Sequence, residues 1–309
     1  MKDCLLPIVA KRALATPNPN LERLRWFTGI DLGTTNSSAA LVDARALLDG
    51  RTDDAVRLVP VRQATDAGAI DDPVLPSVVA EIAPGEWEVG RAAREARRRG
   101  LGRGRQIFYS TKSEMGERGE PYYPLAPENL NAPYKVAGHI LLTLADAVEQ
   151  EVGSDALSSL VVTVPASFQL AARQDVFHAA EMFSIDLGER ALLDEPNAAL
   201  LDYLLTVVPR DTPPVDLHAP RAILVFDFGG GTCDVSIVRA RFDPAGSLSL
   251  ANLAISRYER LGGDNIDAAI AEKILLPELL RQNGLDRLDL TWASKRDYIL
   301  PQLMHTAET

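Results

Sequence analysis

Two distant segments of this chain of 309 residues repeat one pattern: an apolar strand, an aspartate, a turn of small residues and a second apolar strand. Residues 29–42 read GIDLGTTNSSAALV, and residues 225–238 read VFDFGGGTCDVSIV. Aligning Asp31 with Asp227 also aligns the glycines two residues further on. A pattern that occurs twice at this separation predicts two related lobes.

The turns of both segments combine glycine with threonine, a composition that suits phosphate. Glycine lets backbone N–H groups approach phosphate oxygens, because no Cβ intervenes. The hydroxyls of Thr34, Thr35 and Thr232 add donors. Asp31 and Asp227 would repel a phosphate chain unless a divalent cation lay between them, and magnesium keeps most of its waters, so contact through water is expected. The alternative, two β-turns that each use an aspartate for turn geometry, explains one segment but not its repetition.

Composition and charge argue against several classes of protein. A net charge of −11 disfavours nucleic-acid binding, which usually needs a basic surface. No apolar run approaches the roughly 20 residues of a membrane-spanning helix, and the run at residues 5–10 is too short for a signal peptide. Two cysteines give neither a disulfide framework nor a zinc spacing. We therefore expect a cytoplasmic protein of roughly two domains that binds neither nucleic acid nor membrane.

Apolar periodicity outlines the elements between the two repeats. Alternation over residues 55–61 predicts a strand, and helical spacing of apolar residues predicts a helix over 136–152. The short apolar run 160–164 predicts a buried strand. Ser167 is a favourable N-cap for a helix that continues to residue 183. Strands and helices alternate after residue 136, which indicates an α/β protein.

These segments carry a family resemblance. The chain resembles the ATPase domain of the heat shock protein 70 family (DnaK-type chaperones), a branch of the actin and hexokinase superfamily. The segments that match family motifs, in family order, are residues 30–37 and 225–236 (the two phosphate hairpins), 162–166 and 194–199 (the connection between lobes) and 260–267 (a Gly-Gly turn). The resemblance implies an α/β, actin/hexokinase-like (ribonuclease H-like) duplicated fold with two lobes around a nucleotide cleft.

The resemblance also implies a domain organisation. Residues 1–27 would be an N-terminal leader, 28–208 the first lobe and 209–309 a partial second lobe. The second lobe is expected to be incomplete, because the family's adenosine-contacting helix lies downstream and residues 304–309 resemble its start. We therefore expect unpaired sheet edges, weak nucleotide binding, and slow or absent hydrolysis by the chain itself.

The site residues follow from the matched motifs. As catalytic residues the resemblance implies Asp31, Lys112, Glu195 and Asp227. As nucleotide-binding residues it implies Gly33, Thr34, Thr35, Asn36, Gly229, Gly230, Gly231, Thr232, Gly262 and Gly263. Magnesium would be bound, mostly through water, by Asp31, Asp227 and Asp234. ATP or ADP would be the nucleotide, and potassium a further ion.

Two of these residues have simpler interpretations. Lys112 stands where the family places its catalytic lysine, and an ammonium there would stabilise charge on the γ-phosphoryl group. The family usually continues with Arg-Leu-Ile, whereas this chain has Ser113, Glu114 and Met115. A lysine in a polar loop is otherwise a solvated charge. Glu195 matches a glutamate near the attacking water, and it is equally a carboxylate favoured at a helix start; both interpretations can hold.

Three further features have open interpretations. Pro165 and Arg173 resemble residues that relay the nucleotide state between lobes. More simply, Pro165 ends a strand and Arg173 is a solvated helix residue. The arginine-rich stretch 91–105 could touch nucleic acid or an acidic partner. Arginine on an alanine-rich helix is more simply a solvated face, since aromatic residues to stack bases are absent.

Taken as a family member, the chain is the ATP-binding and ATP-hydrolysing domain of a DnaK-like chaperone that acts in protein folding and the stress response. The full-length parent would couple its nucleotide state to unfolded client peptides through a C-terminal domain, with co-chaperones and nucleotide-exchange factors as partners. A small-molecule (sugar-type) kinase of the same superfamily is one alternative. A non-catalytic, actin-like interaction protein is the other.

Overall fold

The computed structural model describes residues 25–49, 55–117, 119, 122–207, 215–242, 248–257 and 259–307. The strands are β1 (Trp26–Asp31), β2 (Asn36–Asp43), β3 (Val56–Leu58), β4 (Val61–Thr65), β5 (Gly68–Asp72), β6 (Leu75–Pro76), β7 (Val78–Ala83), β8 (Glu86–Val89), β9 (Ile107–Tyr109), β10 (Leu160–Val164), β11 (Leu192–Asp194), β12 (Arg221–Phe228), β13 (Cys233–Phe242) and β14 (Leu248–Ile255).

The α-helices are α1 (Ala44–Leu48), α2 (Arg91–Ala96), α3 (Pro133–Val152), α4 (Leu170–Glu181), α5 (Glu195–Val207), α6 (Gly263–Ile270), α7 (Leu276–Gln282), α8 (Trp292–Ser294) and α9 (Leu300–Ala307). Shorter 3-10 turns include Arg97–Arg99, Thr111–Glu114, Glu128–Leu130 and Ser154–Ser159. In this part of the chain, no helix is both long and apolar enough to cross a bilayer.

The first lobe is built on a mixed sheet with the order β11-β10-β1-β2-β3, and β6 also pairs with β2. β1 and β2 form an antiparallel hairpin, while β10 runs parallel to β1 on the other side. Side chains of β2 alternate between buried and more exposed positions, as a strand with one face on a core requires. Because β1 and β2 form a hairpin, the turn between them lies at the end of these two strands.

Helix α3 covers this sheet and confirms the helix predicted over residues 136–152. It begins earlier, because Pro133 suits the first turn, and it ends before Gly153. Its buried side includes Ile140, Leu141 and Leu144, each no more than 2% exposed. Burying a side chain of this size contributes about 1.5–3 kcal/mol, so these residues tie α3 firmly to the sheet.

The second lobe repeats the hairpin in a three-stranded antiparallel sheet, β12-β13-β14. One face packs against α5, with Leu200, Leu204 and Val238 in a shared core. The other face is open: Leu224 and Phe226 of β12 are each 62% exposed. Among the described residues, β12 pairs only with β13, so its outer edge has no partner strand in this part of the chain.

Two predicted elements were wrong in their bounds. Helix α4 begins at Leu170, with Gln169 at the N-cap and no side-chain cap, so Ser167 does not start it. The strand predicted over residues 55–61 is divided into β3 and β4, because Pro60 has no N–H to continue a ladder. Three predicted features lie wholly or partly outside the described residues: the boundary between lobes at residues 208 and 209, the last two residues of the segment 304–309, and most of the leader.

Candidate functional site

The turn between β1 and β2 forms the first loop of the site, residues 32–35. Two serines hold it: Gly33 N–H donates to Ser37 Oγ at 3.1 Å, and Ser77 Oγ donates to Gly33 O at 2.8 Å. Ser77 N–H also donates to Thr35 O at 2.8 Å. A Cβ at Gly33 would lie 1.9 Å from Asn36 O, so the turn needs glycine there. Asn36 itself is exposed at the start of β2.

The turn between β12 and β13 forms the second loop, residues 229–232, closed by a hydrogen bond from Gly229 N–H to Thr232 O at 2.9 Å. The predicted Gly-Gly turn lies on its backbone. Gly263 N–H donates to Gly229 O at 3.0 Å, and Asp264 N–H donates to Gly230 O at 2.7 Å. The start of α6 is therefore fixed directly to this loop.

The two loops meet across the cleft. A Cβ built on Gly230 would lie 1.7 Å from Thr35 Oγ1, and one on Gly231 would lie 2.5 Å from Thr34 Cγ2. The hydroxyl of Thr35 is buried and has no hydrogen-bond partner in the described part of the chain. The two loops are thus in close contact, and the Thr35 hydroxyl is a buried donor at their junction, a group that can bind a phosphate oxygen.

Lys112 and Glu195 lie beside the loops as an ion pair. Lys112 belongs to the 3-10 turn Thr111–Glu114 and is only 6% exposed, so the solvated interpretation is wrong for its position. Glu195 is the first residue of α5, and its helix-start interpretation holds alongside the ion pair. Burial raises the pKa of Glu195; Lys112 opposes this rise, and the charges of Asp31 and Asp227 add to it.

The three aspartates occupy different depths of the cleft. Asp31 is exposed and accepts a hydrogen bond from Thr163 Oγ1 at 2.7 Å. Asp227 pairs in register with Asp234 on the neighbouring strand, and burial raises the pKa of both carboxyls. Asp234 is 2% exposed, and neither of its carboxylate oxygens has a hydrogen-bond partner among the residues that the structure describes.

The aspartates do not converge on one point. Within the described residues, no group of three or more histidine, cysteine, aspartate or glutamate side chains could hold a metal ion directly. The carboxylates nevertheless influence one another, since Asp31 and Asp227 both raise the pKa of Glu195 after the larger effect of burial. This spacing suits a hydrated cation better than one bound directly by three carboxylates.

A cavity of about 800 Å³ adjoins the second loop at Gly231. Arginines from both lobes line it: Arg103, Arg105, Arg260 and Arg296. At its wall Ser110 donates to Asp264, and Arg260 pairs with Glu117, so both contacts join the two lobes. Sequence reasoning gave no role to Ser77, Ser110 or Asp264, and only Asp264 lies beside a sequence signal, the glycine pair at residues 262 and 263.

The residues expected to relay the nucleotide state also join the lobes. Arg173 Nη2 donates to Asp194 Oδ1 at 2.5 Å, and Asn252 of β14 donates to Asp194 Oδ2 at 2.9 Å. Arg173 also contacts Phe168 O, so it is not a solvated helix residue. Pro165 directly follows β10, as a strand terminator would. The relay role of both residues stays a prediction.

The arginine-rich stretch is folded against acidic and aromatic partners. Helix α2 is short, and a 3-10 turn follows it. Arg91 pairs with Asp72, and Arg99 pairs with Asp66. Arg97 lies 4.0 Å from the centre of the Tyr109 ring. Arg91 and Arg97 therefore contact other parts of the protein, while Arg98 and Arg99 are exposed to solvent, as the interpretation of a solvated face predicts. Cys233, which lies beside the second loop, is half-buried.

Comparisons with known proteins agree with this architecture. A family model described as Hsp70 protein matches residues 27–298. A protein named chaperone protein HscA homolog from Pseudomonas putida is 33% identical over 297 residues. Proteins of the same name from Azotobacter vinelandii and Burkholderia mallei are 32% identical over 281 and 280 residues.

These alignments cover 91%, 84% and 84% of this chain but only 41%, 39% and 38% of the relatives. The chain thus spans about two fifths of the length of the curated relatives it matches. Nothing in the comparisons supports the sugar-type kinase alternative. The predicted actin/hexokinase-like fold is confirmed, and the chain belongs to the Hsp70 family.

Proposed function

We propose that this chain forms the nucleotide-binding part of an Hsp70-type chaperone, in which ATP is bound and hydrolysed between the two loops. One observation carries the proposal: glycine-containing loops from two lobes meet at Thr35 and Gly230, with carboxylates and Lys112 beside them. The residues fit a polyphosphate, because the buried Thr35 hydroxyl has no partner in the described residues and the glycines leave the loop backbones without a Cβ between them.

Each side chain has a distinct task in this proposal. The loop amides and the hydroxyls of Thr34, Thr35 and Thr232 bind phosphate oxygens, and they need no reorganisation because the loops are already held by backbone contacts. Asp31 and Asp227 would hold a magnesium ion through its waters, and the ion would neutralise phosphate charge.

Lys112 and Glu195 act on the transferred group and on water. The ammonium of Lys112 is fixed by its ion pair and stabilises negative charge that develops on the γ-phosphoryl group. Glu195 accepts a hydrogen bond from the attacking water and orients it. The raised pKa of Glu195 makes that carboxyl a stronger base once ionised.

A titration of the chain with Mg-ATP tests binding. We expect residues 1–309 to bind Mg-ATP, and no detectable binding by the folded chain would contradict the proposed phosphate site. In a chain extended to the length of its relatives, Lys112→Ala and Asp227→Asn should each lower ATP turnover by about 100-fold or more. Lys135→Ala, on helix α3, is the matched control and should leave turnover unchanged. Normal turnover by Lys112→Ala would refute the role of the lysine.

The wider role is also a proposal. The relatives are named as chaperones, and this supports coupling of the nucleotide state to unfolded client peptides, with co-chaperones and exchange factors as partners. Potassium, lobes divided at residues 208 and 209, and a cytoplasmic location belong to the same proposal. ATP-dependent release of a labelled unfolded peptide from the extended chain would test the coupling. Release of the peptide at the same rate with and without ATP would favour a non-catalytic interaction protein.

A further inference from the structure

The turn that carries Lys112 is held at both ends by one arginine. Arg103 Nη2 donates to Tyr109 O at 3.4 Å, just before the turn, and to Glu114 Oε1 at 3.1 Å, at its end. The guanidinium also lies 4.9 Å from the centre of the Tyr109 ring. Arg103 therefore links the two ends of the segment that presents the lysine.

Glu114 is the centre of this cluster. Its side chain is 13% exposed, and its second oxygen accepts a hydrogen bond from the hydroxyl of Tyr123. The Tyr123 ring packs on Phe108, with the ring centres 5.3 Å apart. Burial, followed by the charge of Glu114 and the hydrogen bond to it, raises the pKa of Tyr123 far above its ordinary value. Glu114 is thus a buried carboxylate with a cationic donor on one oxygen and a neutral donor on the other.

The backbone of the turn requires support of this kind. Ser110 has φ of 57°, a left-handed conformation that is unusual for a residue other than glycine. Ser113 Oγ donates to Ser110 O at 2.7 Å, and Gly116 N–H donates to Asp175 Oδ2 at 2.7 Å. Unusual backbone conformations persist where surrounding contacts over-determine them. The segment is therefore fixed by several independent contacts, which include those of Glu114, two residues after Lys112.

We propose that Glu114, held by Arg103 and Tyr123, is a positioning residue that fixes the Lys112 turn against Glu195. This inference rests on the proposed function, because it concerns the geometry of the proposed catalytic lysine. The segment departs from the family pattern, in which Arg-Leu-Ile follows the lysine. Glu114 stands where that pattern has leucine, so this chain has a hydrogen-bonded side chain at a position that is apolar in the family pattern.

The proposal predicts how substitutions at Glu114 should differ. Glu114→Leu leaves the half-buried Tyr123 hydroxyl and the more exposed Arg103 guanidinium without their acceptor, and the loss is costlier for the hydroxyl because less water reaches it. Glu114→Gln keeps an acceptor of the same size. Tyr123→Phe removes one donor but retains the ring against Phe108. Glu278→Gln is the matched control, because Glu278 also pairs with an arginine but lies in α7, away from the turn.

Acetylation of lysines by sulfo-NHS acetate at fixed pH, followed per residue by mass spectrometry, tests the proposal in residues 1–309. We expect Lys112 to react about tenfold faster in Glu114→Leu, and severalfold faster in Tyr123→Phe, because a charge-assisted hydrogen bond contributes at about that level. Glu114→Gln should stay within about twofold of the unsubstituted chain, and the control should not change. Unchanged labelling of Lys112 in folded Glu114→Leu and Tyr123→Phe would overturn the proposal. If Glu114→Leu does not fold, Tyr123→Phe decides.

Turnover of Mg-ATP by the extended chain separates this proposal from the proposed function. Glu114→Leu should lower kcat with little change in KM, in step with the labelling of Lys112. Equal loss of kcat in the control or in Glu114→Gln would contradict positioning. Absence of turnover in the unsubstituted chain would count against the proposed function alone, since labelling measures the lysine directly.

Discussion

Gly262 is a position where a single added methyl group should disturb the site, because the added carbon would meet backbone atoms of the second loop. A Cβ there would lie 2.5 Å from Gly230 O and 2.7 Å from Gly229 O. Both are backbone atoms, so no side chain can rotate to relieve the contact. Gly262 has an extended backbone, with φ of −159°, which any residue can adopt. The cost of Gly262→Ala therefore comes from the contact alone.

The size of the effect follows from what must move. The methyl group must push the Gly-Gly turn away from the second loop, and this stretches two hydrogen bonds, from Gly263 N–H and from Asp264 N–H. Overpacking costs about 1–3 kcal/mol, and each lost hydrogen bond about 1 kcal/mol. A local loss of about 3 kcal/mol is expected, which corresponds to roughly a hundredfold increase in local opening.

Hydrogen exchange of the Gly263 and Asp264 amides measures this opening directly. Gly263→Ala is the matched control, because its Cβ would lie 3.7 Å from the nearest atom, an ordinary contact. Alanine in a helix is favoured over glycine by about 1 kcal/mol, so the control should exchange no faster than the unsubstituted chain. Equal exchange in the two variants would refute the view that the second loop is fixed by close backbone contact.

Three further outcomes are expected. Asp234→Asn should raise the free energy of unfolding at neutral pH. Burial raises the pKa of this carboxyl in the folded state above 3.8. The stability that the carboxyl contributes is therefore present below pH 3.8 and is lost as the pH rises through the folded pKa. Urea unfolding between pH 4 and 8 should show a flatter profile for the variant, and parallel profiles would contradict this. Phe226→Ser should reduce the fluorescence of an apolar dye bound to the chain, because Phe226 is 62% exposed on an open apolar face; Arg221→Ser is the control. Asn252→Ala should lower the thermal midpoint slightly by removing about 1 kcal/mol of hydrogen bonding to Asp194. Asn252→Asp should lower it further through like-charge repulsion, and the reverse order would refute the contact.

The sequence predicted those features that depend on local pattern. The hairpins around Asp31 and Asp227 and the helix at residues 136–152 follow from alternation, glycine turns and helical spacing, each of which lies within a few residues of chain. The predicted start of α4 at Ser167 was wrong, because the local pattern does not show the turn that precedes the helix. Ser167 has the chemistry of an N-cap, but the chain after β10 first makes a turn in which Phe168 N–H donates to Pro165 O.

Contacts between distant segments were beyond the reach of pattern. Arg173 was interpreted as solvated because its partner, Asp194, lies 21 positions away on a different element. Lys112 was interpreted as a loop charge unless the family resemblance was considered, although it is almost fully buried. In both cases the decisive quantity is a distance set by the packing of the lobes, which a one-dimensional periodicity does not contain.

The charges of the cleft also determine which form of nucleotide it can accept. After the larger effect of burial, the charges of Asp31 and Asp227 raise the pKa of Glu195, and the charge of Asp227 raises the pKa of Asp234; Lys112 forms its ion pair with Glu195. A free triphosphate would add several negative charges beside the remaining carboxylates, where burial weakens the screening by water. A magnesium-bound triphosphate places the cation between the two sets of oxygens. We therefore expect the chain to bind Mg-ATP more tightly than ATP in excess EDTA, by at least about tenfold. Asp227→Asn should reduce the ratio of the two affinities, because it weakens the binding of Mg-ATP and strengthens the binding of free ATP. Equal affinities with and without magnesium would show that the carboxylates do not face the phosphates.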